Sequence, residues 1–294
     1  MDLVVLINGL GNQMSQYAFY LQKREINKST RLLIFCNEHN GFELNKAFNL
    51  NINSSLKERA LYIIFRLLIT EKYKLIFAPI KNVLSLLGCK IIRENYDYTF
   101  KKEFLKQAPG INYYFGGWHS EKYFENITNQ LFKSFQFNVP QDELNKKYIQ
   151  SIKQNNSIAI HIRRGDFLNK DNINLFGGVC TQAYYQKAID MMETKFEDAH
   201  FFVFSNDLDW SKSNLRFKNA TFIGNNIGSN SWKDMFLMSI CKHNIIANST
   251  FSWWGAWLNR NENKTVICPD RFLLTDTSNT IYPESWIKIN TTQP

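Results

Sequence analysis

Four polar clusters, each directly after an apolar run, are the residues of this chain best suited to chemistry. The first is His161-Ile162-Arg163-Arg164-Gly165-Asp166. Arginine is permanently charged and forks two hydrogen bonds onto one phosphate, so adjacent arginines at a strand end suit a diphosphate. Asp166 can hold one guanidinium, and His161 can donate to a phosphate or ribose oxygen. The competing reading is a surface ion-pair cluster; an adhesion role for Arg-Gly-Asp is disfavoured because it follows a buried strand rather than capping a loop. The second cluster is Ser205, Asn206 and Asp207 after Phe201–Phe204. Asp207 either accepts two hydrogen bonds from the N1/N2 edge of a guanine or caps the next helix. Asp207-Leu208-Asp209 spells a metal–nucleotide DxD in letters, but its place at a strand end argues against a metal. The third is Ser249, Thr250, Phe251 and Ser252, hydroxyls and free N–H groups at a helix start, where anions bind. Trp253, Trp254 and Trp257 follow, at least two of them as core. The fourth is Asn8-Gly9-Leu10-Gly11-Asn12-Gln13, a dinucleotide-type turn lacking its third glycine. It allows backbone close to a diphosphate, with Asn12 and Gln13 projecting into a cleft. Together the clusters suit one purine diphosphate.

The elements that must position them alternate. Asp2–Ile7 reads as a strand, a helix follows to about Ile26, and Arg31–Cys36 is a second strand. Residues 55–93 read as two helical pieces divided by Pro79. Asn112–Trp118 is an aromatic strand ending at Gly116-Gly117. Strands over 157–162, 200–205, 221–224, 244–249 and 265–269 alternate with helices over 181–196, 231–242 and 251–260, which predicts a parallel sheet covered on both faces. The polar stretch 141–156 marks a boundary, giving domains 1–154 and 155–294. Ligands of such folds sit at the carboxyl ends of the strands.

Length and composition set the class. The chain has 294 residues, 44% hydrophobic and 21% charged, with only 6 Pro and 13 Gly, which excludes disordered and collagen-like chains. The net charge is +9, and the window Lys57–Arg93 alone holds eight basic residues against Glu58 and Glu71. That window is either a pair of core-facing helices with solvated faces or a surface that meets anionic lipid, with nucleic acid a weaker reading. The five cysteines form no CxxC pair, so structural zinc is not expected and reduced thiols in the cytoplasm are. The start MDLVVLING lacks the features of a signal peptide, and no apolar run has the length of a membrane span.

Several segments resemble the α-1,2-fucosyltransferases of glycosyltransferase family 11 from bacterial surface-polysaccharide pathways. They are NGLGNQMSQYAF (8–19), GGWHSEKYF (116–124), HIRRGDF (161–167) and HNIIANSTFSWWGAWL (243–258), supported by FVFSND (202–207) and GGVCTQAYYQKAI (177–189). They run through nearly the whole chain in the family's order. HIRRGD alone points only to fucosyltransferases with an HxRR element; the tryptophan-rich block is more specific. Two positions depart from the family pattern: Asn8 where it has Gly, and Ser15 where it has Phe.

The resemblance implies a GT-B architecture, two Rossmann-like domains with parallel sheets facing across a cleft, and inverting, metal-independent transfer from GDP-β-L-fucose, a substrate rather than a cofactor. By motif, Arg163 is implied as the essential diphosphate contact, supported by Arg164 and Asp166. His161, Asn206 and Asp207 are implied on the nucleoside side, and Ser249, Thr250, Phe251 and Ser252 around the pyrophosphate. Gly11, Asn12 and Gln13 approach the sugar and phosphate, with Asn12 in the catalytic set. Trp118 and His119 are candidate acceptor contacts, and Glu121 and His119 candidate bases. The implied acceptor is a terminal β-galactoside, lipid-linked, met by a cytoplasmic enzyme that touches the anionic membrane through 57–93, with no nucleic-acid partner. The alternatives are another linkage such as α-1,6, another GDP-sugar, a non-catalytic GDP-sugar or glycan binder and, last, an RNA-binding protein.

Overall fold

Five consecutive buried residues make β1 (Asp2–Leu6), and the chain turns at Asn8-Gly9 into α1 (Leu10–Ile26). The computed structural model describes residues 1–70, 74–94, 98–275 and 280–291, without the side chains of 74–77. The first unit spans Met1–Gln136. It continues through β2 (Arg31–Ile34), α2 (Leu44–Ala47), α3 (Leu56–Ile69), α4 (Lys74–Leu86), β3 (Cys89–Arg93), β4 (Ile111–Phe115) and α5 (Thr128–Ser134). Its sheet has the order β2-β1-β4-β3, and every pairing is parallel. The chain runs from β1 outward to β2 on one side and returns to β4 on the other, so β1 and β4 flank a switch point. α3 begins with a capping box between Ser55 and Glu58 and buries Leu61 and Phe65 against Tyr113 of β4. A second internal feature is the fully buried ion pair of Lys23 with Asp2, 3.1 Å apart, whose ammonium also donates to Tyr114 Oη at 2.8 Å.

Two expectations for residues 55–93 change. Pro79 lies inside α4 rather than between two helices. The first helix ends at Thr70, whose carbonyl accepts from Lys81 Nζ at 2.6 Å. The window closes in β3, because Cys89–Arg93 pairs with β4 along five residues. Glu71 and Lys72 lie outside the described residues.

The second unit, Phe137–Pro294, holds α6 (Glu143–Gln154), β5 (Asn156–Ile162), α7 (Gln182–Lys195), β6 (Ala199–Ser205), α8 (Leu208–Asn214), β7 (Ala220–Ile223), α9 (Trp232–Ile240), β8 (His243–Ile245), α10 (Thr250–Trp257), β9 (Val266–Pro269) and β10 (Ile287–Ile289). Its six strands are all parallel, in the order β10-β9-β8-β5-β6-β7, with the switch point between β5 and β8. Thr181 caps α7 as its residue type requires, its hydroxyl accepting from Tyr184 N at 3.3 Å. One side of the sheet is covered by Tyr184, Tyr185, Ile189 and Met192 of α7, the other by Phe236, Leu237 and Met238 of α9.

The boundary falls at 136/137, not at 154/155. α6 is a working part of the second unit. Asn145 Nδ2 donates to Asn226 Oδ1 at 2.8 Å, Lys233 pairs with Asp142 at 2.8 Å, and the Phe137 ring meets Phe236 edge-on at 5.7 Å. A polar helix that reads as a linker is therefore docked through its few apolar and amide residues.

Candidate active site

β5 delivers the first cluster to the switch point of the second sheet. His161 is buried with its ring 5.7 Å from that of Phe251, and its Nδ1 has no protein partner. Burial, reinforced by the charge of Arg163, pulls its imidazole down to about 3, so it is neutral at pH 7. Arg163, the residue after β5, donates from Nη2 to Asp166 Oδ2 at 2.8 Å and lies over the Phe167 ring at 5.6 Å. Its Nε is buried and has no partner. Arg164 is held differently. Its Nε is 3.3 Å from Asp207 Oδ2, and its guanidinium sits 3.9 Å above the Trp210 ring. Its backbone N–H donates to Asn206 Oδ1 at 3.0 Å, while Asn206 Nδ2 reaches Asp166 Oδ1 at 3.5 Å. A Cβ at position 165 would lie 2.5 Å from Asn206 Nδ2, so a larger residue there would displace the Asn206 amide from this network. The ends of β5 and β6 are thus tied into one network of Arg163, Arg164, Asp166, Asn206 and Asp207.

Of the two readings of Asp207, the structure shows the cap: Oδ1 accepts from Trp210 N at 3.1 Å while Oδ2 holds Arg164. Across the switch point, Ser249 caps α10, its hydroxyl accepting from Phe251 N at 3.4 Å, and Thr250 opens the helix. Ser252 departs from expectation. It is fully buried, and its hydroxyl turns back to Ser249 O at 3.4 Å, so it shapes the turn from inside. Trp253, Trp254 and Trp257 are all buried, and Trp253 Nε1 donates to Ile281 O at 2.9 Å.

The first sheet brings the other two motifs together at its own switch point. Gln16 joins them, accepting from Ile7 N at 2.9 Å and donating to Gly116 O at 3.0 Å. Ser15 Oγ lies 3.1 Å from His119 Nδ1. His119 is buried against the Tyr98 ring at 5.0 Å, and burial pulls it down to about 3. A base that protonates only near that pH is weak at neutrality, which leaves Glu121, half-buried in the 3₁₀ turn 121–123, as the stronger candidate of the pair.

Three expectations are corrected in this unit. Gln13 does not project outward: it is fully buried, donates to Asn8 O at 2.7 Å and Gly41 O at 2.8 Å, and accepts from Glu43 N at 2.9 Å. The start of α1 is not open to a diphosphate, because Glu43 Oε2 already accepts from Leu10 N at 3.1 Å, an internal anion at the helix N-terminus. Trp118 is core rather than an acceptor platform, fully buried and stacked on Phe19 with ring centroids 4.2 Å apart. Asn12 and Gly11 lie in the first turn of α1, Asn12 half-buried and Gly11 buried.

Glu43 and Glu94 were not singled out in the sequence. Glu94 Oε2 accepts from both Gly117 N and Trp118 N at 2.7 Å, fixing the turn after β4. The available signal was an acid just past the strand β3, but the pairing follows only once β3 and β4 are known to be neighbours.

The sequence profile described as Glycosyl transferase family 11 matches residues 2–290. The chain belongs to glycosyltransferase family 11. An α-1,2-colitosyltransferase of Escherichia coli is 33% identical over 310 residues, 98% of this chain and 99% of that protein. The O-antigen biosynthesis glycosyltransferase WbnK of Escherichia coli is 32% identical, over 97% of this chain and 99% of its own length. Galactoside α-(1,2)-fucosyltransferase 2 of Rattus norvegicus is 25% identical over 179 residues, 52% of this chain and 51% of that protein.

As a family 11 glycosyltransferase the chain carries its two departures in different ways. Asn8 has φ +62°, the left-handed conformation that glycine adopts freely and that asparagine tolerates best among other residues. Asparagine therefore fits this turn without a glycine. Ser15 faces inward on α1, and its hydroxyl meets His119 Nδ1. Among the described residues no three His, Cys, Asp or Glu side chains gather into a group able to hold a metal, and no helix is long and apolar enough to cross a membrane.

Proposed function

We propose that this family 11 glycosyltransferase transfers L-fucose from GDP-β-L-fucose, with inversion and without a metal, to O2 of a terminal β-galactoside on a lipid-linked repeat unit. The setting is O-antigen or capsule assembly in the bacterial cytoplasm. The observation that carries the reading is the buried pair of unpartnered groups, Arg163 Nε and His161 Nδ1, at the β5/β8 switch point. Buried polar groups are almost always bonded, and those left open at a ligand-binding edge await a ligand's acceptors. Breaking the sugar–phosphate bond adds negative charge to the departing GDP and positive charge to the sugar. The fixed guanidinium of Arg163 stabilises the former, an effect of about 10²–10³ in rate per contact. Arg164 supplies a second cation over Trp210, and neutral His161 donates or accepts without competing for charge. In-line transfer also needs the acceptor hydroxyl held close to the sugar, a role this reading gives to Asn12 and Glu121 of the first unit.

A second reading is a different GDP-sugar, and the α-1,2-colitosyltransferase relative favours a colitosyl donor. Purified protein incubated with GDP-fucose, EDTA and β-galactosides such as lactose, with products analysed by mass and linkage, separates these. A deoxyhexose on galactose O2 supports the main reading. GDP binding without fucose transfer, followed by turnover of a dideoxyhexose donor, moves the assignment to the second. Absence of GDP binding overturns both.

A further inference from the structure

α3 and α4 carry an outer face that the fold leaves uncovered. On α3, Leu61 and Phe65 point inward to the sheet, while Leu56 and Ile63 are exposed with Ala60 between them. At about 100° per residue Leu56, Ala60, Ile63 and Leu67 share one stripe. Arg59 and Arg66 edge that stripe on one flank and Lys57 on the other, and all three are exposed. On α4, Ile80, Val83 and Leu86 are exposed, and Leu87 follows just beyond its end. These six aliphatic side chains, between 43% and 87% exposed, are among sixteen large apolar residues exposed among the described residues. Six such residues fall within Leu56–Leu87, on two helices that pack against each other, a local concentration that an ordinary surface does not show.

Among the described residues the charges flanking the stripe, Lys57, Arg59 and Arg66, are all positive. Among the described residues no carboxylate pairs with Lys57, Arg59 or Arg66; the nearby acid Glu58 is engaged in the capping box with Ser55. Lys90 is also exposed at the start of β3. An apolar stripe edged by arginine and lysine is complementary to an anionic lipid surface, where the aliphatic groups enter the headgroup boundary and the cations meet phosphates. A protein partner of matching acidity would need to hide the aliphatic stripe as well, and the α3 stripe of Leu56, Ala60, Ile63 and Leu67 carries none of the Trp, Tyr or Phe anchors that such interfaces favour.

We infer that the outer face of α3 and α4, with Leu56, Ile63, Val83, Leu86, Arg59 and Arg66 at its centre, docks this protein onto an anionic membrane surface. The inference stands apart from the choice of donor or acceptor. Its test is co-sedimentation of the full chain with vesicles of phosphatidylcholine alone and with vesicles containing phosphatidylglycerol. The wild type should pellet with the anionic vesicles at low salt, release as salt rises, and remain in solution with phosphatidylcholine. Combined Arg59→Gln and Arg66→Gln should weaken binding about 30-fold, from roughly one charge-equivalent of surface attraction each. Combined Ile63→Ser, Val83→Ser and Leu86→Ser should weaken it at least about tenfold. Both variants change exposed side chains, so circular dichroism and GDP affinity should match the wild type and exclude misfolding. Failure of the wild type to pellet with anionic vesicles overturns the inference. So does unchanged vesicle binding by the serine variant, and so does a wild-type dimer that the serine variant converts to monomer without altering vesicle binding, which would assign the face to a second copy.

Discussion

At the switch point of the second sheet two arginines follow β5, and one keeps a buried N–H without a partner; at the switch point of the first sheet the roles of donor and acceptor are reversed. There, Glu43 and Glu94 supply the charge, and their oxygens are taken by the backbone N–H groups of Leu10, Gly117 and Trp118. The backbones differ as well. Every strand of the first sheet is followed by one non-glycine residue in the left-handed region: Asn8 after β1, His39 after β2, Tyr98 after β3 and Trp118 after β4. Among the described residues the second unit has none. Held strain of this kind collects where a loop must present a fixed shape. The same type of sheet edge is therefore built twice: once around cations with open hydrogen-bonding capacity, and once around backbone shape locked by internal anions. The first suits charge stabilisation, the second positioning.

The largest expected effect tests the cationic edge. Arg163→Ala should lower transfer kcat/KM by about 10²–10³ and weaken GDP binding, and Arg163→Lys should recover only part because an ammonium cannot reproduce the fork. Thermal unfolding should change little, since the side chain's one ion pair, with Asp166, is partly exposed. GDP titration of the alanine variant at wild-type affinity would remove Arg163 from the donor site and end the contrast between the edges.

The second prediction tests the anionic edge. Glu94→Gln keeps the shape but loses charge on an acceptor of two N–H groups, and should cost roughly 1.5–3 kcal/mol in urea unfolding. If the first unit positions the acceptor, as the proposed function has it, acceptor KM should rise while GDP affinity stays. A loss of GDP affinity as large as that of Arg163→Ala would mean the two edges do not divide the work in this way.

What was legible in the sequence follows from the range of each interaction. Strands such as Asp2–Leu6 and Ala199–Ser205 are written in local apolar runs, and the Thr181 cap lies next to its helix. Arg163, Arg164, Asp166 and Asn206 could be grouped because each follows a strand at the same edge of a parallel sheet. Gln13 and Trp118 were misplaced because their partners, Gly41, Glu43 and Phe19, come from other segments folded over them. Glu43 and Glu94 act 33 and 23 or more residues away from the N–H groups they accept, so no local pattern marks them. β10 is short and mostly exposed, and its pairing with β9 is visible only in the folded sheet. α6 reads as a linker because its docking depends on single residues such as Asn145 and Ile152 rather than on a broad apolar face.

A smaller effect is pH dependence, which reaches both units. His119 in the first and His161 and His243 in the second are pulled by burial to about 3, about 3 and about 4. The unfolded chain, with histidines near 6.5, takes up protons below that pH that the folded chain refuses, so stability should fall as pH drops from about 6.5 toward 4. Asp234 acts in the opposite sense. Burial raises its carboxyl to about 7, so the folded chain keeps a proton that the unfolded chain has lost at the same pH. Three histidines outweigh one aspartate, and urea midpoints at pH 7, 6 and 5 should decline. Asp234→Asn should steepen the decline; a flat profile in both proteins would show that these histidines are not held neutral.

The smallest expected effect concerns Asn8, and it separates shape from chemistry at the positioning edge. Glycine there would relieve the cost of a left-handed asparagine but would add freedom to the unfolded chain, and the two terms nearly cancel. Asn8→Gly should shift stability by no more than about 0.5 kcal/mol and leave transfer unchanged, because what the fold uses is the Asn8 carbonyl held by Gln13. Asn8→Val tests the same point from the other side. A β-branched residue in this conformation should cost about 1–2 kcal/mol, and it should raise acceptor KM by displacing the turn. If Asn8→Gly instead lowers transfer while stability holds, the asparagine side chain itself takes part in the site. The locked-backbone account of this edge would then give way to one in which its polar side chains meet the substrate.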